Sequence, residues 1–90
     1  MKASPSVRAN VTDDGLVLLH IDQGKIFSSN TTGARIWQLL EEGLEANDIA
    51  NKVATETGAP LDRVSADVQT FIDALKAEAI LVDGTAAAAS

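Results

Sequence analysis

The fold of this chain is decided by residues 16–29, which read LVLLHIDQGKIFSS. In the first part of this stretch, Val17 and Leu19 fall on one face of an extended segment, and Leu16 and Leu18 fall on the other. Side chains alternate between the two faces of a strand, so a strand with one solvated face would show a single apolar set. The pattern therefore predicts a strand with something packed on each face.

Two further strands are predicted beside this one. Residues 7–12 alternate apolar and polar side chains, and Asp-Asp-Gly at residues 13–15 is typical of a turn. Gln23-Gly24 predicts a two-residue hairpin loop, because glycine tolerates the left-handed conformation that such loops need. The third strand then runs from Lys25 to Ser29. Consecutive strands joined by short turns predict an antiparallel sheet.

Three helices are predicted to follow the sheet. Asn30 suits the N-cap of the first helix, and Gly43 and Gly58 suit the ends of the first and second. The three helices run from about Thr31 to Glu42, from about Glu45 to Thr57, and from Leu61 or Asp62 to about Ala79. A run of strands followed by a run of helices predicts an α+β fold, with the helices on one face or end of a three-stranded antiparallel sheet.

The length of 90 residues fits a single domain with one modest core. We expect this domain to span residues 1–83, with a loose N-terminal segment at 1–5 and an apolar end segment at 80–82. The last residues, 84–90, carry no large side chain and are predicted to form a disordered tail.

The composition favours a soluble cytoplasmic protein and argues against several classes of partner. The formal net charge of −6 and the sequence pI of about 4.4 oppose contact with nucleic-acid phosphates. No apolar run approaches the ~20 residues that cross a bilayer, so no membrane partner is expected. The first residues hold no apolar stretch, so no signal peptide is predicted. The absence of cysteine is compatible with the cytoplasm.

The titratable residues form no recognisable catalytic or metal site. His20 is the single histidine, and we interpret it as a packing or surface residue. The pairs Asp13-Asp14 and Glu41-Glu42 fall in a predicted turn and at a helix end, where we expect solvated surface. Gly33 stands alone in a predicted loop and completes no phosphate-binding pattern. We therefore expect a protein that is not an enzyme and takes no cofactor or metal, which leaves binding as its function.

A binding surface is predicted at the third strand, Lys25 to Ser29. A strand at the border of a sheet exposes unpaired backbone groups, which proteins usually protect with charge, proline or a bulge. This strand has one charge at its start and no proline, so an extended peptide could add beside it. The third helix would flank the resulting groove. We expect Val68, Phe71 or Leu75 to be shared between the core and that groove.

Three stretches resemble the coenzyme PQQ biosynthesis protein D family, namely residues 16–22, 24–27 and 30–43. The most specific part is the pattern Asn-x-Thr-Gly-Ala-x-Ile-Trp at residues 30–37. The spacing of apolar positions in the second and third helices continues the resemblance, which covers about residues 5–83.

The resemblance implies a winged helix-turn-helix-like fold and a role in the maturation of ribosomally synthesised peptides. The leader segment of the precursor peptide would add as a strand beside the third strand. The protein would then present it to a maturation enzyme such as a radical enzyme, a leader peptidase or a cyclase. The contact residues that the resemblance implies are Lys25, Ile26, Phe27, Ser28, Ser29, Asp67, Val68, Phe71 and Leu75.

Two positions depart from the family pattern. Thr31 stands where the family usually has a proline at the start of the first helix, and Ala79 stands where glycine is common. Both changes bear on the subfamily more than on the fold. The pattern at residues 32–37 looks slightly closer to the stand-alone recognition proteins of lasso-peptide clusters.

Two other classes of function compete with peptide binding. A DNA-binding winged helix would insert its third helix into the major groove, but the segment from Asp62 to Glu78 carries four carboxylates and two cations, which opposes phosphate contact. A structural subunit could instead use the face of Leu16 and Leu18 to contact a protein partner. The same face could form a homodimer.

Overall fold

The computed structural model describes residues 2–82, and the predicted tail at 84–90 lies outside them. The chain forms five strands and three helices within this range. In chain order they are β1 (Lys2–Ala3), β2 (Val7–Thr12), β3 (Gly15–His20), β4 (Lys25–Ser29), α1 (Thr31–Glu41), α2 (Ala46–Thr57), α3 (Leu61–Ala77) and β5 (Leu81–Val82).

Strands β2, β3 and β4 form an antiparallel sheet in that order, and the three helices follow it. The predicted α+β, winged helix-turn-helix-like architecture is thereby confirmed. The loop between β3 and β4 differs from the prediction. His20 pairs with Lys25, so the loop holds four residues, 21–24, and not two. The N–H of Gly24 donates to the C=O of Ile21 at 3.3 Å, which closes a wider turn than the sequence pattern predicted.

The two ends of the described chain pair with each other. Residues 2–3 form a two-stranded antiparallel sheet with residues 81–82, and the N–H of Ser4 donates to the C=O of Ile80 at 2.8 Å. The prediction of a loose segment at residues 1–5 was therefore wrong for its described part. An apolar end segment supplies a partner strand, which local sequence reasoning could not foresee.

Helices cover only one face of the sheet. Leu16 and Leu18 are 1% and 0% exposed, whereas Val17 and Leu19 on the opposite face are 42% and 39% exposed. The expectation of a strand covered on both faces was wrong. The predicted partner or homodimer contact through Leu16 and Leu18 is also wrong, because both side chains belong to the core.

The helices supply most of that core through apolar stripes at helical spacing. Helix α1 begins at the predicted cap, where the Oδ1 of Asn30 accepts a hydrogen bond from the N–H of Gly33 at 3.0 Å. His20, the single histidine, is 5% exposed and packs beside the core, in agreement with its interpretation as a packing residue. The buried helical residues are Gly33, Ala34, Ile36, Trp37, Leu39 and Leu40 of α1, Ile49, Ala50 and Val53 of α2, and Val64, Val68, Ile72 and Leu75 of α3.

Helix α3 ends two residues earlier than predicted. The N–H of Ile80 donates to the C=O of Leu75 at 2.9 Å, and the N–H of Ala79 donates to the C=O of Lys76 at 3.0 Å. This pattern requires a left-handed residue between the helix and the following segment, and Ala79 has a φ of 58°. The glycine that the family resemblance led us to expect at this position would take this conformation without strain. No helix within residues 2–82 is long and apolar enough to span a membrane.

Candidate peptide-binding groove

Strand β4 is an edge strand of the three-stranded sheet, and we call its unpaired side the border. Within residues 2–82 it pairs with β3 on one side and with no strand on the other. The border is therefore neither occupied by another described strand nor capped by proline. A strand border of this kind offers backbone donors and acceptors to an added strand.

The direction of the backbone groups follows from the pairing of β2 with β3. The N–H of Ile21, just after β3, donates to the C=O of Ser6, just before β2, at 2.9 Å. Backbone groups of successive residues in a strand point to opposite sides. The preceding residue, His20, therefore directs its N–H and C=O away from β2 and toward β4.

The same alternation fixes which groups of β4 face the open border. Lys25 is paired with His20 and so directs its backbone groups back toward β3. Ile26 and Ser28 stand one and three residues further along, and their N–H and C=O groups point outward. These two residues offer an added strand two donors and two acceptors.

The side chains of β4 divide between the two faces of the sheet. Phe27 and Ser29 point to the helical side and are half-buried, and Phe27 is paired with the buried Leu18. Ile26 points to the other side and is 73% exposed, beside its partner Leu19. We call the exposed apolar side chains of Val17, Leu19 and Ile26 the outer face.

Two aromatic rings join β4 to α3. The ring centroids of Phe27 and Phe71 lie 5.9 Å apart with an interplanar angle of 72°, which is the edge-to-face arrangement. Both side chains are half-buried, so each keeps part of its surface accessible beside the border strand. The two rings thus lie on the two sides of a groove between β4 and α3, and they are in contact with each other.

This groove extends past the end of β4. Its lining includes Ser29, Asp67 and Phe71 from the predicted site, together with Asn30, Thr32, Gly33 and Ile36, and it encloses about 360 Å³. We call it the β4–α3 groove.

Gly33 allows the structural elements around this part of the groove to pack closely against one another. It lies inside α1, within the helix predicted from about Thr31 to Glu42, so the separate assignment of Gly33 to a loop was wrong. A Cβ at this position would collide with the Oγ of Ser29 and would come within 3.0 Å of the Phe71 ring. Only a residue without a side chain therefore lets the end of β4, α1 and α3 approach one another here. A lone glycine within a helical pattern is the one sequence signal that could have identified it.

At the other end, an ion pair links the start of β4 to the end of α3. The Nζ of Lys25 lies 3.4 Å from the Oε2 of Glu78, and the two side chains are 59% and 42% exposed. An exposed pair of this kind contributes little to stability. The ion pair places two charged side chains where the start of β4 meets the end of α3. No local pattern in the sequence predicted a role for Glu78.

The structure separates two predicted contact residues from the rest. Val68 is 1% exposed and Leu75 is 0% exposed, so Leu75 has no side-chain surface for a peptide. Val68 contributes only to the wall of a neighbouring cavity. The expectation that Leu75 would be a contact residue needs correction, because its position on α3 turns it into the core. Phe71 and Asp67 are the residues of α3 that reach the groove.

A second ion pair joins α1 to α2. The guanidinium of Arg35 donates hydrogen bonds to the Glu56 carboxylate, with the shortest N–O distance at 2.6 Å. These hydrogen bonds lower the pKa of Glu56 below its ordinary value and raise that of Arg35. Among the described residues, no cluster of three His, Cys, Asp or Glu side chains is arranged to hold a metal ion.

Comparisons with known proteins find one matching family model and two similar solved structures. The model of the family "Coenzyme PQQ synthesis protein D (PqqD)" matches residues 15–81. A comparison with curated protein sequences finds no match. Two solved structures are similar along nearly the whole chain, each with a TM-score of 0.82.

The first of these structures is TbiB1 in complex with the TbiA(beta) leader peptide. It is 34% identical, and the match covers 92% of this chain and 100% of that one. The second is a lasso peptide synthetase B1 complexed with the leader peptide. It is 26% identical, and the match covers 91% of this chain and 96% of that one.

Proposed function

This chain belongs to the coenzyme PQQ synthesis protein D family, and we propose that it is a non-catalytic adaptor for a ribosomally synthesised precursor peptide. It binds the leader segment of that precursor by strand addition and presents it to a maturation enzyme. The observation that carries this proposal is the open border of β4 beside Phe71. Two similar proteins, solved with leader peptides bound, support it.

Strand addition at β4 would satisfy the backbone groups of Ile26 and Ser28. A guest strand can form up to four hydrogen bonds with their N–H and C=O groups, and these bonds give affinity without reading sequence. Alternate side chains of the guest then lie on opposite faces. One set contacts the rings of Phe27 and Phe71, and the other extends the outer face next to Ile26.

We assign the peptide contacts to β4 and to the accessible side of α3. Lys25, Phe27 and Ser29 line the helical side of the border, and Ile26 and Ser28 supply its backbone groups. Asp67 and Phe71 form the opposite wall of the groove. Val68 and Leu75 lie beneath that wall and act by packing.

The partner of the loaded adaptor would be a maturation enzyme of a lasso-peptide pathway, such as a leader peptidase or a cyclase. The similarity to a lasso peptide synthetase B1 favours a leader peptidase or a cyclase over a radical enzyme as this partner. The outer face is the candidate contact, because Val17, Leu19 and Ile26 are all exposed there and a guest strand would enlarge it. Because the precursor is made on ribosomes, the adaptor would act in the cytoplasm.

Titration calorimetry tests the proposal directly. The ligand is a synthetic peptide that spans the leader segment of the candidate precursor, chosen by searching the neighbouring open reading frames for a short peptide gene, and the control is the same peptide with its sequence scrambled. We expect saturable binding by the leader alone, with amide shift changes centred on Ile26 and Ser28 in a parallel NMR titration. Binding that leaves the amides of β4 unperturbed would contradict strand addition.

A further inference from the structure

The three-stranded sheet has a second open side, along β2. Within residues 2–82, β2 pairs with β3 on one side and with no strand on the other. The pairing with β3 runs through the whole strand, from Val7 to Thr12, without a bulge. The strand contains no proline, and its one charged residue is Arg8. This open side, which we call the β2 edge, therefore lacks the usual protection of an edge strand.

The alternation of the backbone fixes which groups face the β2 edge. Ser6, just before β2, directs its C=O toward β3. The backbone groups of Val7, Ala9 and Val11 therefore point to the open side. The N–H of Val7 is already used, because it donates to the C=O of Ser4 at 3.0 Å. The N–H groups of Ala9 and Val11 and the C=O groups of all three residues remain for another strand.

The helices leave the side chains along the β2 edge largely uncovered. Val7, Ala9 and Val11 lie on the same face of the sheet as the buried Leu16 and Leu18. Val7 is half-buried against the core, but Ala9 is exposed and Val11 is 39% exposed. An apolar strip therefore accompanies the free backbone groups.

The sequence of β2 is complementary to itself in antiparallel pairing. The residues that face the edge read Val-x-Ala-x-Val, which is a palindrome centred on Ala9. A two-fold axis at Ala9 would place Val7 beside Val11 of a second copy. Four backbone hydrogen bonds would form, two between the Ala9 residues and one at each end from the N–H of Val11 to the C=O of Val7. On the other face, Arg8 would lie opposite Asn10 of the second copy, so no like charges oppose each other.

The border of β4 suits a second copy less well. Helix α3 flanks it and carries four carboxylates and two cations between Asp62 and Glu78. Two-fold pairing of β4 would bring two such helices close together, and their charges would repel each other. At the β2 edge, the exposure of Ala9 and Val11 shows that no helix covers these two side chains.

We infer that two copies of this chain pair through the β2 edge and form one continuous antiparallel sheet. This inference goes beyond the proposed function and does not depend on it, because both β4 borders would lie at the outer ends of the joined sheet and stay open. A single pair of strands is a small contact beside the roughly 1,000 Å² of stable interfaces, and the net charge of −6 on each copy opposes association. We therefore expect a weak dimer, with a dissociation constant between about 10 µM and 1 mM.

Solution measurements on the wild-type protein test this inference. Sedimentation velocity and amide NMR spectra are recorded at about 10 µM and about 1 mM protein, in about 0.15 M salt to screen the charge repulsion. We expect more dimer at the higher concentration, with shift changes at the amides of Ala9 and Val11 and none at Ile26 and Ser28. A monomer at both concentrations, or a dimer whose shift changes centre on β4, would overturn the inference.

An introduced cysteine tests the position of the two-fold axis, since the chain has no cysteine of its own. In the inferred pairing the two Ala9 residues oppose each other with Cα atoms about 5.5 Å apart, a separation that a disulfide can span. Ala9→Cys should therefore form a disulfide-linked dimer at least about tenfold faster than Ser65→Cys, an exposed control on α3. Equal rates for the two variants would refute pairing around Ala9.

Proline at the β2 edge supplies the quantitative test. Ala9→Pro removes an outward N–H and takes no hydrogen bond from the pairing with β3, and Ala9→Ser is the matched control that keeps this donor. We expect at least about tenfold weaker dimerisation for Ala9→Pro and less than about a twofold change for Ala9→Ser. Dimerisation of undiminished strength in Ala9→Pro would overturn the inference. If Ala9→Pro does not fold, the cysteine variants and the wild-type spectra decide.

Discussion

Proline at position 26 separates the binding role of β4 from its structural role. The N–H of Ile26 points to the open border, so its removal takes no hydrogen bond from the pairing with β3. Proline is tolerated on border strands for this reason. In a complex, the same change removes one donor to the guest strand and places the ring where a guest carbonyl would lie.

The expected loss follows from that one donor. A hydrogen bond contributes about 0.5–1.5 kcal/mol net, and a carbonyl left unpaired at a buried contact costs about 1–3 kcal/mol. The unpaired carbonyl is the larger of these two costs, so we expect a loss of about 1–3 kcal/mol. This corresponds to about 5- to 150-fold weaker binding, at about 1.4 kcal/mol for each factor of ten. The free energy of unfolding should change by less than about 1 kcal/mol, because the side chain removed is 73% exposed.

Calorimetry with the leader peptide measures the affinity, and denaturant unfolding followed by the fluorescence of Trp37 measures the stability. Trp37 is the single tryptophan and is 1% exposed, so its emission reports on the core. Ile26→Ala is the control, since it keeps the N–H. Ser28→Pro should reproduce the loss at the second outward position. Undiminished affinity in both proline variants, with the fold intact, would refute the assignment of this border as the binding site.

Three further changes address the groove and its supports. Gly33→Ala should cost about 1–3 kcal/mol of stability in denaturant unfolding and weaken peptide binding, because the added Cβ collides with Ser29; full stability would mean that the neighbours relax freely. Ala79→Gly should stabilise the domain by about 0.5–1 kcal/mol in the same assay, since it relieves a left-handed φ of 58°, and should leave binding unchanged. Because the pKa of Glu56 is lowered in the fold, its pairing with Arg35 stabilises the folded state at a pH above 4.5, the ordinary pKa of a glutamate. This contribution is lost as the pH falls through the folded-state pKa. Glu56→Gln should therefore flatten the fall in thermal unfolding midpoint toward acid pH, and an unchanged acid profile would contradict this.

Patterns within short stretches of sequence predicted the strands and helix ends that depend on neighbouring residues. Alternation and turn residues located three strands, and Asn30 was recognised as the cap of α1 because its side chain serves an N–H only three residues away. The loop after β3 was misjudged because its length depends on where two strands cease to pair. Pairing of the chain ends was missed for a similar reason, since residues 2–3 carry no strong strand pattern by themselves.

The sequence by itself determined the order of strands and helices, the apolar stripes of the helices and the unprotected character of residues 25–29. Only the tertiary structure decided which apolar set of β3 is covered, that Leu75 is buried while Phe71 reaches the surface, and that a cavity opens beyond β4. The reason is that burial and contact depend on residues far apart in the chain. Lys25 meets Glu78 across 53 positions, and no periodicity within either segment records that meeting.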